Sequence, residues 1–382
     1  MISAETLDKA VRRGIISADQ RDRIAALAAE PELAEAVEAG RDEPLRLVGG
    51  SNDLFVTIGA VLATAGLLFA LQAALGAEAT LIAALVGAFI WVMAEFVTRQ
   101  RRMKLASTVL GLGFMAAIVT ILSVFVADRL GLDAIASPVQ ALALRPVIGA
   151  HGGLFFAVSA MAAIAYFLRF RVPVMAGVLA VTIAGAAFFY TTLFFYDGVT
   201  SGAVAMPMLD QLPQVIARAL YVPLVCGLLV FSAAVALDLN DRERFTIWSD
   251  CAFWLHVVSA PLLVHPLFIL ATGQDVAFGR IEPGTSASVM LGLLIAGFLY
   301  VALAIDRRSL LIPTLAYFGT LGIYYLIDRA ANTSGIPPFA LILLVIGGMI
   351  IVFGAGWQGI RRLIIATTLP TSLLTRLPPI RT

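Results

Sequence analysis

An all-α, polytopic transmembrane helical bundle of about ten spans, preceded by a small N-terminal helical hairpin, is the architecture this chain predicts. Three observations predict it. Hydrophobic residues fill 60% of the 382 positions and charged residues only 13%, with a mean hydropathy of +0.95. Soluble domains carry about 25% charge, and a water-soluble fold of this length has no interior large enough to hide so much apolar surface. Apolar runs recur from Leu54 onward, each near the ~20 residues that cross a ~30 Å hydrocarbon core at ~1.5 Å per residue. Arginines concentrate in alternate connections between those runs, as they do in the cytoplasmic loops of membrane proteins.

Residues 1–45 form a separate unit. Residues 3–12 read as an amphipathic helix with Ser3 as its N-cap, closed by Gly14. Ser17-Ala18-Asp19-Gln20 is a capping-box pattern that starts a second helix. Ile16, Ile24 and Leu27 then make one apolar stripe, with Leu7, Val11 and Ile15 opposite. Pro31 breaks the helix, residues 32–39 continue it for a turn or two, and 40–53 are a linker rich in breakers. The first fifty residues carry seven basic and ten acidic side chains, a net −3. This unit is too small for a large core, so it is expected to dock on the membrane domain, a second copy of the chain, or a cytoplasmic partner. No apolar h-region follows Met1, so the first span is expected to direct insertion.

The spans are placed near 54–75, 79–98, 105–127, 150–168, 173–194, 216–237, 251–272, 286–305, 310–327 and 339–357, giving a transmembrane domain of 54–358 and a tail of 359–382. Gly76, Ala77 and Glu78 alone separate the first two, which requires a tight hairpin, because one uninterrupted span would be too long for a bilayer. Fourteen basic residues after Gly50 fall on one side: Arg99, Arg101, Arg102 and Lys104, then the pairs at 169 and 171, 242 and 244, 307 and 308, and 361 and 362, with Arg376 and Arg381. Five fall on the other: Arg129, Arg145, Arg218, Arg280 and Arg329. That bias is expected to put both termini in the cytoplasm. The spans at 105–127 and 310–327 both follow Arg-Arg and both end in Asp-Arg, a weak internal repeat that needs a gap to align and of a kind found in transporters and in other membrane proteins alike.

Ionisable groups inside a span are costly and mark function. Four are singled out as an intramembrane polar site: His256, His265, Asp250 and Glu95. The two histidines lie on the span CAFWLHVVSAPLLVHPLFILATG, where Pro261 and Pro266 each remove a backbone donor. Nine residues apart, they face opposite sides of a helix with about 13.5 Å of rise between them, so one metal ion cannot take both unless the helix breaks at Pro261. The competing reading is that each histidine hydrogen-bonds to a neighbouring helix and packs. Glu95 stands one turn before Arg99, an i,i+4 pair at an interface. His151 sits by Gly149, Gly152 and Gly153 and reads as interfacial. The pairs Gly111 and Gly113, Gly347 and Gly348, and Gly354 and Gly356 read as close helix packing. Cys226 and Cys251 read as packing thiols. No phosphate loop, dinucleotide fingerprint or nucleophile with its base is present. Neither metal nor cofactor is expected, and a net charge of +1 gives no case for nucleic acid.

Leu7, Arg13-Gly14-Ile15-Ile16-Ser17-Ala18-Asp19-Gln20, and the glycine-rich first span from Asn52-Asp53-Leu54-Phe55 through Gly66-Leu67-Leu68 resemble the opening of a family of uncharacterised bacterial multipass membrane proteins. The resemblance covers about the first seventy residues. It implies a small cytoplasmic helical domain before many spans, and it brings no activity or site residue with it. The expected function is a permease or channel-like protein for a small solute or ion. The alternative is a membrane scaffold or sensor that recruits a partner through its N-terminal domain, and an intramembrane enzyme acting on lipid ranks third. A cysteine replacing Arg171 is expected to react with a membrane-impermeant maleimide from the cytoplasmic face alone; labelling from outside would reverse the orientation.

Overall fold

The computed structural model describes residues 4–28, 51–131, 145–208, 211–241, 246–272, 285–310, 338–370, 374 and 377. The chain divides into two compact units, Met1–Leu47 and Val48–Thr382.

In the first unit, α1 (Ala4–Arg12) and α2 (Ala18–Ala28) make the predicted hairpin. Gly14 takes the left-handed turn at φ +68°, which costs glycine nothing. The capping box forms as read: Ser17 N donates to Gln20 Oε1 at 2.8 Å and Gln20 N donates to Ser17 Oγ at 3.1 Å. Arg21 crosses to Asp8 at 2.9 Å, and its hydrogen bonds to Asp8 and Asp22 raise its pKa. Leu7 is buried, but Ile15 is 70% exposed and Ile24 faces solvent too. The two predicted stripes therefore do not close on each other. Ser3, the third turn at 32–39 and the side chain of Leu27 lie outside the described residues.

The second unit is an all-α polytopic bundle, with no strand among the described residues. Its helices are α3 (Ser51–Leu75), α4 (Ala79–Ala94, continued by a π-helical turn Glu95–Gln100), α5 (Lys104–Leu130), α6 (Arg145–Phe170), α7 (Val174–Thr200), the short α8 (Leu212–Ala219), α9 (Tyr221–Asn240), α10 (Ile247–Thr272), α11 (Thr285–Ile305) and α12 (Pro338–Thr368). Seven segments among the described residues are long and apolar enough to cross a membrane: α3, α4 with its π turn, α5, α6, α7, α9 together with the end of α8, and α10. The predicted spans at 286–305 and 339–357 correspond to α11 and α12. The one at 310–327 lies outside the described residues, as do the loop at 132–144 and the Arg242–Arg244 turn.

Most helix ends shift from the predicted ones by a few residues, and two of the shifts bear on the site. The helix predicted at 251–272 begins at Ile247, which brings Ser249 and Asp250 onto it, and it stays continuous through Pro261 and Pro266. The last helix runs to Thr368 instead of ending at 357, so Arg361 is a buried helical residue and not part of the predicted tail of 359–382. The sequence rule stopped α12 at its arginines because it treats them as solvent markers; here the guanidinium of Arg361 has partners inside the bundle.

Packing follows the small residues in part. A Cβ on Gly111 would stand 2.9 Å from the Met175 methyl, and one on Gly227 would stand 3.0 Å from the Leu262 backbone. These positions let α5 approach α6 and α7, and let α9 approach α10. At Gly347 and Gly348 a Cβ would meet nothing within 4 Å among the described residues. Trp91, Phe114, Tyr166 and Phe170 form an aromatic cluster between α4, α5 and α6, with ring centroids 4.6–5.8 Å apart.

Three turns reuse one device. Arg102, Arg171 and Asp306 each adopt a left-handed φ of 53–55°, which costs a non-glycine residue roughly 1–2 kcal/mol. Each follows the end of a helix, and at Arg102 and Arg171 the next helix starts within three residues. Asp53 adds a long-range cap: its carboxylate accepts Leu105 N at 2.9 Å and Ala106 N at 3.1 Å, at the start of α5. It thereby ties α3 to the first turn of α5 through a buried, charge-assisted pair of bonds. Asp53→Ala is expected to cost about 1–2 kcal/mol, seen as a lower thermal midpoint of the detergent-purified protein; an unchanged midpoint would deny the cap its role.

Candidate functional site

Four buried polar residues converge at the end of the bundle where α9 finishes and α10 begins. Asp238 lies in the last turn of α9, Ser249 in the first turn of α10, and His256 two turns deeper on α10. Arg307 follows α11. Its direction is set by the preceding turn: Arg307 N donates to Ala302 O at 2.9 Å and Asp306 N donates to Leu303 O at 3.3 Å. That is a Schellman cap, with Asp306 in the left-handed position that glycine usually takes. The turn sends both charged side chains into the bundle.

Arg307 grips Asp238 with two nitrogens. Nε donates to Oδ2 at 2.9 Å and Nη2 donates to Oδ1. Nη2 also donates to Ser249 Oγ at 2.9 Å and to its carbonyl at 3.3 Å. His256 Nε2 stands 2.9 Å from Asp238 Oδ2. Exposure is 0% at His256, 2% at Arg307 and 7% at Asp238. The Phe231 ring meets the imidazole edge-on at 5.4 Å. Nε2 donates to the carboxylate, so Asp238 accepts from Arg307 and His256 together. Nδ1 of His256 has no hydrogen-bond partner among the described residues.

A second buried charge group lies beside the first. Asp306 accepts from Trp357 Nε1 at 2.7 Å and stands 3.7 Å from Arg361 Nη1, while Arg361 Nε donates to Leu303 O at 2.9 Å. Arg361 is fully buried. The turn after α11 thus joins α9 and α10 through Arg307 and joins α12 through Asp306.

The four residues predicted as one polar site go to separate places. His256 is in the centre just described. His265 is half-buried on the opposite face of α10. Asp250 points toward Lys104, 3.9 Å away. Glu95 binds Arg169 at 2.7 and 2.9 Å and reaches Arg99 at 3.4 Å, which adds an inter-helix partner to the predicted i,i+4 pair. His151 bonds its own helix at Val147 O, 2.8 Å away.

Sequence reading missed Asp238, Ser249 and Arg307. A signal existed for Asp238: an acid at the end of the run LLVFSAAVALDLN, one residue beyond the predicted span end at 237. Arg307 was counted as an interfacial charge, as a basic turn usually is. No group of three or more metal-ligating side chains occurs among the described residues. Comparison of the chain with protein-family models, curated proteins and solved structures yields no match.

Removing one member of a buried ion pair leaves the other charge stranded, at a cost of about 3–5 kcal/mol. Arg307→Leu and Asp238→Leu are each expected to cost about that much, and the double variant much less. Thermal unfolding of the four proteins in one detergent reads the coupling, and additive losses would show that the pair does not stabilise the bundle.

Proposed function

We propose that this multipass protein resides in a bacterial inner membrane with both termini in the cytoplasm, and that it is a proton-responsive permease or channel-like protein for a small solute or ion. The basic turns support the orientation. The buried centre supports the activity, and one observation carries it: His256 is fully enclosed, bonded to Asp238, and left with an unpaired Nδ1. A buried orphan acceptor costs about 1–3 kcal/mol. In a protein with two states, such a cost in one state is balanced where the other state satisfies the group.

Proton uptake at Nδ1 changes the net charge of Asp238, Arg307 and His256 from zero to +1 in a site without water access. Asp238 then serves two cations. Low dielectric makes that state costly, and admitting water relieves it. The helix that bears His256 is the one suited to move. Pro261 and Pro266 lack the N–H groups that would bond the carbonyls of Val257 and Leu262, so the ladder beyond His256 is already interrupted. Protonation therefore loosens the junction of α9, α10 and the α11 turn at one membrane face.

A second reading, a scaffold or sensor that recruits a cytoplasmic partner through residues 1–45, is favoured by the exposed Ile15 and Ile24 on the separate hairpin.

Proteoliposomes containing a trapped pH dye, challenged with a pH gradient and a panel of amino acids, sugars and inorganic ions, test the leading reading. The protein is expected to speed gradient collapse with at least one solute. His256→Gln is expected to slow this about tenfold or more, equivalent to about 1.4 kcal/mol on the barrier, while His265→Gln changes it little. Relaxation equal to that of protein-free vesicles across the panel would overturn the permease reading.

A further inference from the structure

A cavity of about 430 Å³ opens between α6, α7, α9 and α10, within the size range of small-molecule sites, about 300–1,000 Å³. Its walls are apolar throughout. Ala163, Ala180 and Cys251 form a buried floor, while Ile164, Ile183 and Leu229 are exposed at its rim. The cavity is therefore a groove that opens sideways, toward lipid, and it is separate from the polar centre: Cys251 and Leu255 line it from one face of α10, whereas Ser249 and His256 turn to the other partners of that helix.

Its length is informative. On α7 the wall runs from Met175 to Ala184, and on α9 from Leu237 to Cys226. Nine and eleven residues at ~1.5 Å each give about 13–16 Å, half of a ~30 Å hydrocarbon core. The groove thus spans one leaflet. It starts at the membrane face that carries the basic turns, since Met175 follows the turn at Arg171 and Leu237 adjoins Asp238. At that end Trp248 and Phe167 line it, with ring centroids 6.1 Å apart, as aromatic residues do at the headgroup level. Cations surround the same end. Arg171 is exposed in the turn between the two lining residues Phe167 and Met175, and Lys104 reaches Asp250 next to Cys251. Arg169 lies there too, held by Glu95.

We propose that the groove holds one acyl chain of an anionic phospholipid from that leaflet, with its phosphate at Arg171 and Lys104. Depth matches the chain, the apolar wall matches its chemistry, and the cationic mouth matches the charge of the headgroup. A neutral or zwitterionic lipid fills the same groove without the electrostatic gain that basic residues near a membrane surface give. The inference does not depend on the permease reading: a protein without flux still retains the lipid.

Native mass spectrometry of the full-length protein, equilibrated in detergent with equal phosphatidylglycerol and phosphatidylcholine of matched chains, tests this. Wild type is expected to retain phosphatidylglycerol about tenfold or more over phosphatidylcholine, a ratio equal to about 1.4 kcal/mol. Arg171→Gln combined with Lys104→Gln is expected to bring the two lipids near parity while keeping total retention. Ala233→Phe, at an exposed position of the groove wall, is expected to reduce retention of both with an unchanged thermal midpoint. Equal retention of the two headgroups by wild type, retention unaffected by Ala233→Phe, or a dimer that Ala233→Phe dissolves would each overturn the proposal, the last in favour of a second copy of the chain in the groove.

Discussion

Lipid offers no solvent for a charge, so a carboxylate and a guanidinium that stay ionised inside a bundle have to solvate each other. Asp238 and Arg307 do this with two parallel hydrogen bonds, and the rest of this end of the molecule is arranged around them. Ser249 also accepts from Arg307, and His256 uses a lone pair of Asp238. The strained turn at Asp306 aims Arg307 inward, and the same turn offers its own carboxylate to Trp357 and Arg361. Pairs of this kind seldom add much stability over an apolar core, because desolvation offsets the attraction. They fix which segments meet and where. Here three helices and one turn share a junction that an all-apolar interface would leave free to slide.

Basic turns carry two roles that one sequence signal does not separate. Arg99 and Arg171 are exposed, as a topological marker is expected to be. Arg307 and Arg361, drawn from the same side of the chain, are buried and hydrogen-bonded. The positive-inside bias orients the chain, and some of the arginines that produce it then fold back to hold the helix ends together. The turns at Arg102 and Arg171 show how the geometry is reached: a left-handed residue closes each helix early enough for the next one to start within three residues, and at Asp306 the same conformation aims Arg307 inward.

Architecture was largely legible in the residues. Apolar length and charge spacing give the helices from Leu54 to Thr272 with ends shifted by a few residues, because hydrophobic burial in lipid is a one-dimensional property of the chain. The Ser17–Gln20 capping box and the Gly76 break, at φ +65°, were also legible, being local. The candidate site was not. Of the four residues singled out, His256 alone is in the buried centre, because its partners come from 18 and 51 residues away in sequence, and no spacing rule spans that distance. Asp238 was lost by one residue of helix boundary, and Arg307 by the ordinary assumption that a turn arginine faces water. Asp53 was lost for a similar reason: it stands where a linker was read, yet it caps a helix that starts at Lys104.

The account makes His256 the group that sets the state of the centre. Solid-state ¹⁵N NMR of histidine-labelled protein in bilayers observes it directly, with His256→Gln assigning the signal. In the closed state the account requires a neutral ring with the proton on Nε2 and a bare Nδ1, and on acidification a second proton arriving on Nδ1 together with water contact at the ring. A ring that keeps one protonation state and stays dry across the pH range in which the protein remains folded would contradict it, leaving His256 a packing residue.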